Sequence, residues 1–429
     1  MRKNYQNQEI DTSLPAVPDT VSVALAELAG EMREGLLALA VGTGLQVMAA
    51  IMEADVVAAC GPRGRHDPQR TATRHGPGSV SLGGRRVPVT RPRMRAVDGS
   101  GELPVPAYEL FSDTEVLGRM ALDRMLAGLS TRRYDVGLEP VGARTEQAAT
   151  ATSKSAVSRR FVAQTQTALA ELLAADLSQL DLVAFMVDGV HFGEHTCVVA
   201  LGIDIDGTKH PLSLVEGSTE NTTLVTELIV GLRERGLDVT KPVLAVLDGS
   251  KALRRAVLDV FDRPVIGRCQ LHKIRNVEDH LPEKLRTTVT SRMRRAYHAD
   301  SALAAEAELC ALAAELDRTH PGAAASLREG MAETLTVLRL GIPPTLARTF
   351  RSTNAVESMI SICRTHAGNV KNWRDGQMAL RWCAAGMVEA CKQFRRVNGH
   401  MHLRSLRDTL EKLTQPVGAT AHTDAVTAA

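Results

Sequence analysis

Long apolar runs are almost missing from this sequence. The one charge-free stretch of membrane character, Leu36 to Met52, is interrupted by Gly42, Thr43, Gly44 and Gln46 and falls short of the ~20 apolar residues that a spanning helix needs. It reads as two packed helices, and no membrane partner is expected. The opening residues "MRKNYQNQEIDTSLPAVPDT" lack the apolar core of a signal peptide and read as a loose arm. Cysteine is sparse: seven residues, scattered and odd in number, do not make a disulfide framework and fit a reducing compartment. No repeat with a period of about 20 to 50 residues is present, which excludes a solenoid or array. Net charge is also small, at +2 over 429 residues. The length suffices for two or three domains with real cores.

Charge is concentrated locally instead. Between Gly61 and Ser100 there are nine arginines and no lysine, against two acidic residues. Arginine offers a planar fork of donors that keeps its charge, so such a block suits a phosphate backbone, although it also fits a solvated basic surface. Within it "SVSLGGRRVPVTRPRMR" alternates in the manner of a β-hairpin turning at Gly83-Gly84, with Arg85, Arg86, Arg91, Arg93 and Arg95 at outward positions. Further on, "TSKSAVSRRFVAQTQTAL" reads as a capped helix. Its Arg159 and Arg160 suit the recognition helix of a helix-turn-helix, and an amphipathic linker helix fits as well.

From Asp181 the pattern becomes α/β. "LVAFMV" before Asp188 is an unbroken apolar strand; "TCVVALGI" and "HPLSLV" are two more, joined through "DIDGTK", where Asp206-Gly207 is a hairpin turn. A helix from Asn221 to Gly236, the strand "PVLAVL", a helix from Lys251 to Phe261 and the strand "PVIGRC" follow. Three hairpin-linked strands, then helix, strand, helix and strand, predict a mixed five-stranded sheet with helices on its faces, which is the RNase H-like order. The helical tract from about His272 to Leu340 exceeds what that core requires and reads as an insertion.

Asp188 and Asp248 each end an apolar strand and each precede glycine. Strand ends of an α/β sheet are where ligands bind, and two neighbouring carboxylates repel unless a divalent cation relieves them. Either aspartate alone also fits a turn or a helix cap. A third acid lies in "RSTNAVESMISICR", where Val356, Met359, Ile360 and Cys363 mark the buried stripe of a helix and Glu357 stands beside it. Asn354 and Glu357 also match a capping box. In "GRCQLHKIRN", Cys269 and His272 resemble half of a zinc site, but no second pair stands at compatible spacing, so His272 and Arg275 are expected to reach towards the site or its phosphates.

Together "MVDGVHF", "VLDGSKAL", "CQLHKIRN", "STNAVESM" and "WCAAGMVEACKQFRRVNGH" resemble the mutator-type family of bacterial insertion-sequence transposases over about residues 45 to 410. The resemblance implies an RNase H-like core with DDE chemistry in the cytoplasm, close to the nucleoid. Its three acids fall on Asp188, Asp248 and Glu357, which would be both catalytic residues and the ligands of two Mg2+ ions, with Mn2+ as a substitute. Cys269, His272, Arg275 and Asn354 would be accessory. The expected partners are the element's terminal inverted repeats and target DNA. Lys392, Arg395, Arg396 and Arg404, with Arg292, Arg294 and Arg295, would line the DNA, and a homodimer or larger assembly would hold two ends. The Ala/Leu-rich N-terminal helices are candidates for dimer contacts. Departures are the absence of a tryptophan near Thr222 or Thr223 and the His in "ATRHGPG".

The expected organisation is an arm at 1–20, a helical and Arg-rich hairpin region for DNA at 21–110, a helical region at 111–178, a DDE catalytic domain at 179–375 with its insertion at about 274–345, C-terminal helices at 376–413 and a disordered tail at 414–429. Two other functions compete. One is a catalytically silent DNA-binding protein or repressor on the same fold; the other is a metal-dependent phosphohydrolase, which leaves the arginine block unexplained.

Overall fold

The computed structural model describes residues 35–62, 70–96, 98, 100–217 and 221–415, with only the backbone of 70–74. The expected arm at 1–20 and all but the first residues of the expected tail lie outside the described residues. The chain divides into two compact units. One takes in residues up to Met125 and Leu129–Phe161, the other Leu126–Gly128 and everything from Val162.

In the first unit a single helix, α1 (Leu36–Cys60), lies against the antiparallel strands β1 (Arg70–Leu82) and β2 (Arg85–Ala96). Two packed helices were expected here, and one continuous helix is found. Two glycines cost roughly 1 kcal/mol each relative to alanine, and the Ala, Leu and Met around them, together with packing of Met48, Met52 and Val56 against Val80, Val87 and Met94, offset that cost. The helix is long and apolar enough to cross a membrane by length and composition alone. Gly83 and Gly84 link the strands with φ of 54° and 80°, the double left-handed geometry of a tight hairpin. A Cβ on Gly84 would stand 2.7 Å from Leu138 Cδ2, so glycine is required there for space as well. The short strand β3 (Glu102–Leu103) extends the sheet by pairing Glu102 with Arg95. Helix α2 (Pro106–Ser112) is pinned by its Ala107 N–H, which donates to Asp55 Oδ2 at 2.8 Å. Helices α3 (Glu115–Leu126) and α4 (Ala143–Ala148) follow. Helix α5 (Lys154–Ala174), whose residues from Val162 belong to the second unit, starts where Ser153 Oγ accepts the Ala156 N–H.

The second unit is built on a five-stranded mixed sheet of β4 (Leu182–Phe192), β5 (His195–Asp204), β6 (Lys209–Gly217), β7 (Val243–Leu247) and β8 (Pro264–Arg268), in the order β6-β5-β4-β7-β8. The first three are antiparallel neighbours; β7 and β8 join in parallel. Parallel strands need a covered crossover, supplied by α6 (Thr222–Glu234), capped by Asn221, and α7 (Lys251–Val260), capped by Ser250. Their Leu228, Leu232 and Val257 bury Phe185, Val198 and Ala245 on one face of the sheet. Against β4, β5 and β6 pack α15 (Asn354–His366) and α16 (Gly376–Cys391).

Between β8 and α15 the chain is helical. Helices α8 (Gln270–Glu278), α9 (Glu283–Ala296), α10 (Ala302–Asp317) and α11 (Pro321–Arg328) enclose their own core of Ile274, Val277, Met293, Leu309, Leu312 and Leu327. Short helices α12 (Met331–Thr334), α13 (Thr336–Arg339) and α14 (Pro344–Phe350) lead to α15. This module is fastened to the sheet at β8 by Thr336 Oγ1, which donates to Ile266 O at 2.7 Å, and its first and later helices are tied together by Gln270 Nε2, which donates to Thr334 O at 2.9 Å. Helix α17 (Leu403–Thr414) closes the unit through buried Arg407, which donates to the Leu182 carbonyl and to Asp181 Oδ1.

Candidate active site

Parallel pairing of β4 with β7 aligns Met186 with Val246. Two residues further along stand Asp188 and Asp248, both half-buried: Asp248 directly follows β7, whereas Asp188, expected to end its strand, lies within β4, which runs on to Phe192 because Gly189–Phe192 continue to pair with β5. Their carboxylates are oriented by backbone N–H groups: Asp188 Oδ1 accepts from Gly189 and Asp248 Oδ1 from Ser250, each at 2.8 Å. Asp248 therefore opens the turn into α7, while the helix cap itself is Ser250. Gly249 adopts φ of 109°, and a Cβ there would lie 2.2 Å from Arg268 Nε. Glycine at this point lets the Arg268 guanidinium pass close to the turn on its way to Glu329.

Glu357 occupies the first turn of α15. The capping-box alternative is not what forms, because Thr353 is the N-cap and Asn354 is already inside the helix. The Thr353 hydroxyl donates to Glu357 Oε1 at 2.5 Å and stands 3.4 Å from both Cys269 Sγ and His272 Nδ1. Ligand atoms of Cys269, His272 and Glu357 all lie within 4.8 Å of one another. Cys269 is fully buried at the N-cap of α8, its N–H donating to Leu247 O at 2.7 Å, which ties α8 to the end of β7. Burial raises the Cys269 thiol pKa, but hydrogen bonding with His272 and Thr353 outweighs burial and leaves it below its ordinary value. His272 is shifted upward, first by its hydrogen bond with Cys269 against the opposing effect of burial, then by the charges of Cys269, Glu357 and Asp248. Glu357 and Asp248 thus act on the same imidazole.

Sequence reasoning missed Thr353. Its signal was present inside "STNAVESM", but a threonine before a helix reads as a cap until its hydroxyl is seen facing the neighbouring acid. Arg275 and Asn354, expected as accessory residues, are exposed, and among the described residues neither makes a side-chain hydrogen bond to this group.

The arginines expected to face outward from the hairpin are mostly engaged within the first unit. Arg85 is buried, donating to Gly83 O and, at 2.7 Å, to Glu139 O, because its position beside the tight turn points it inward. Arg86 donates to Ser79 Oγ and to Ser112 O. Arg91 pairs with Glu102 at 3.1 Å and lies over the Tyr108 ring, while Arg93 makes a two-pronged pair with the same Glu102. Arg95 remains exposed. Arg160 donates to Ala151 O, and Arg159 is exposed. In the second unit Arg292 pairs with Glu315, Arg295 with Glu308 and Lys392 with Glu389, whereas Arg294, Arg395, Arg396 and Arg404 are exposed.

A mixed sheet with one aspartate within β4 and one just past its parallel neighbour β7, and a glutamate that a helix sets against Cys269 and His272, defines an α/β protein. The family described as "Transposase, Mutator family" matches residues 25–397, and the chain belongs to that family. It is similar to the transposase for insertion sequence element ISRM5 of Rhizobium meliloti (strain 1021), 26% identical over 368 residues, covering 84% of this chain and 90% of the relative. It is also similar to the transposase for insertion sequence element IS6120 of Mycolicibacterium smegmatis, 29% identical over 211 residues, 48% of this chain and 64% of the relative. A third relative, the transposase for insertion sequence element IS256 in transposon Tn4001 of Staphylococcus aureus, is 26% identical over 208 residues, 46% of this chain and 49% of the relative.

Proposed function

We propose that this chain is a DNA transposase which binds the ends of an insertion sequence, cleaves DNA strands there and joins the resulting 3′-hydroxyl ends to target DNA. In this reading the sheet is an RNase H-like core, a reading supported by the β6-β5-β4-β7-β8 order with its three antiparallel and two parallel members. The observation that carries the proposal is the parallel pairing of β4 with β7, which sets Met186 beside Val246 two residues before Asp188 and Asp248.

Asp188, Asp248 and Glu357 are the residues that would hold two Mg2+ ions. The donor set fits: carboxylate oxygens suit a hard cation that keeps several waters. When bound, the ions would activate the attacking water or 3′-hydroxyl and stabilise the leaving oxygen. The chain's own contribution is to fix the acids. Backbone N–H groups of Gly189 and Ser250 orient the two aspartates, and the Thr353 hydroxyl orients Glu357. Exposed Arg95, Arg159, Arg294, Arg395 and Arg396 are the best placed of the basic side chains to meet phosphates. Two element ends call for at least two copies. Helix α1 offers exposed Leu37, Val47 and Ile51 as a contact for a homodimer.

The test is Mg2+-dependent nicking of DNA carrying the element's ends. Asp188→Asn, Asp248→Asn and Glu357→Gln are each expected to abolish nicking while DNA binding is retained. Cleavage that persists in all three variants refutes the site; binding without any cleavage by the unaltered protein leaves the silent repressor.

A further inference from the structure

We propose that Cys269, His272 and Glu357 form a second metal site, for a soft divalent cation such as Zn2+, and that its occupation withdraws Glu357 from magnesium. The binding stands on geometry alone; only the inhibitory consequence rests on the reading of Glu357 given above. The sequence offers half of such a site in Cys-x2-His, and the fold completes it from a distant helix.

Three features support it. The ligand atoms lie within 4.8 Å of one another, whereas a tetrahedral zinc with its usual bond lengths sets ligands about 3.4 to 3.6 Å apart. Closing the site therefore needs side-chain movement of about an ångström, available to His272 and Glu357, which are partly exposed. Second, one hydroxyl oxygen, that of Thr353, touches all three residues, so the three face a common point. Third, the donors discriminate: thiolate and imidazole favour zinc over magnesium, which prefers oxygen alone. Binding would release the Cys269 thiol proton to solvent. Water would complete the coordination, as in other three-ligand zinc sites. A carboxylate held in this way is no longer free to share a magnesium ion with Asp188 and Asp248, which makes trace zinc an off-switch.

The experiment titrates the metal-free, DNA-free full chain with Co2+ as the optical probe. An intense near-ultraviolet sulfur-to-metal band is expected, displaced by Zn2+, lost in Cys269→Ser and kept when the exposed Cys310 and Cys391 are changed to serine. His272→Ala, at a partly exposed position that tolerates truncation, is expected to weaken Co2+ binding by about 10- to 100-fold or more. No band, a band that survives Cys269→Ser, or unchanged affinity in His272→Ala overturns the site. In a second arm, Zn2+ added to a Mg2+-supported nicking reaction is expected to slow it by about tenfold or more, reversibly by chelation. The band without inhibition overturns the switch. A protein that never nicks in Mg2+ alone refutes the transposase reading, while the optical result stands separately.

Discussion

Removing one hydroxyl at Thr353 is expected to impair nicking without unfolding the protein. Thr353 is fully buried, and its hydroxyl donates to Glu357 Oε1 at 2.5 Å. Thr353→Val keeps the volume, so no cavity opens, but the acid loses a charge-assisted hydrogen bond worth about 1.5 to 3 kcal/mol. If that energy is what holds Glu357 in its working orientation, nicking falls by roughly 10- to 150-fold. The Glu357 side chain is 31% exposed, so water replaces part of the lost bond and the lower half of that range is expected. The assay is the rate of supercoiled plasmid nicking in Mg2+, with DNA affinity and thermal melting measured on the same preparations. Thr353→Ser, which restores the hydroxyl, is expected to recover most of the rate. A Thr353→Val protein that nicks at the unaltered rate, beside an inactive Glu357→Gln, refutes the claim that this hydroxyl positions the acid.

Other outcomes follow from groups elsewhere in the fold. Arg95→Gln is expected to lower the magnitude of the log–log salt slope of DNA affinity by about 0.9, one phosphate contact; Arg85→Gln, whose guanidinium is committed to carbonyls, is expected to lower the melting temperature and leave the slope unchanged. The Tyr297 hydroxyl is buried with no well-formed hydrogen bond among the described residues, while its neighbour Thr334 donates to Met331 O. Burial, partly offset by Thr334 and Arg268, pushes its pKa up to about 12 from 10.0. The folded state holds this proton more tightly than the unfolded chain, so the associated stability is present below pH 10 and is lost as pH rises towards 12, by about 2 to 3 kcal/mol. Tyr297→Phe is expected to lack that alkaline loss in urea titrations at pH 8 and 11, and identical curves for both proteins refute it. Lys273, wholly buried, donates to Ser326 O at 2.6 Å and Glu329 O at 2.7 Å. Lys273→Met strands both carbonyls and is expected to cost about 2 to 4 kcal/mol in urea unfolding; an unchanged midpoint refutes it.

The sheet was readable because its strands obey simple rules. Val243–Leu247 is apolar throughout because both faces of β7 are covered, and Asp206-Gly207 announces its turn through the left-handed Gly207. Asp188, Asp248 and Glu357 stood out because a carboxylate next to an apolar run needs a reason. What escaped was set by tertiary contact. Nothing local in "RRVPV" tells that Arg85 turns inward, since that depends on carbonyls of a later loop. The length of α1 depends on a hairpin packing along it, and the role of Thr353 on a cysteine and histidine from another helix. Sequence spacing reports the periodicity of one element; it is silent on which element comes to meet it.

The helical module between β8 and α15 has a consequence for the nascent chain. Both aspartates leave the ribosome before that module and the glutamate leaves after it, since Asp188 and Asp248 precede and Glu357 follows the helices that run from Gln270 to Phe350. In the proposed reading, a polypeptide abandoned midway through translation carries two acids of the three and cannot nick the chromosome it was copied from.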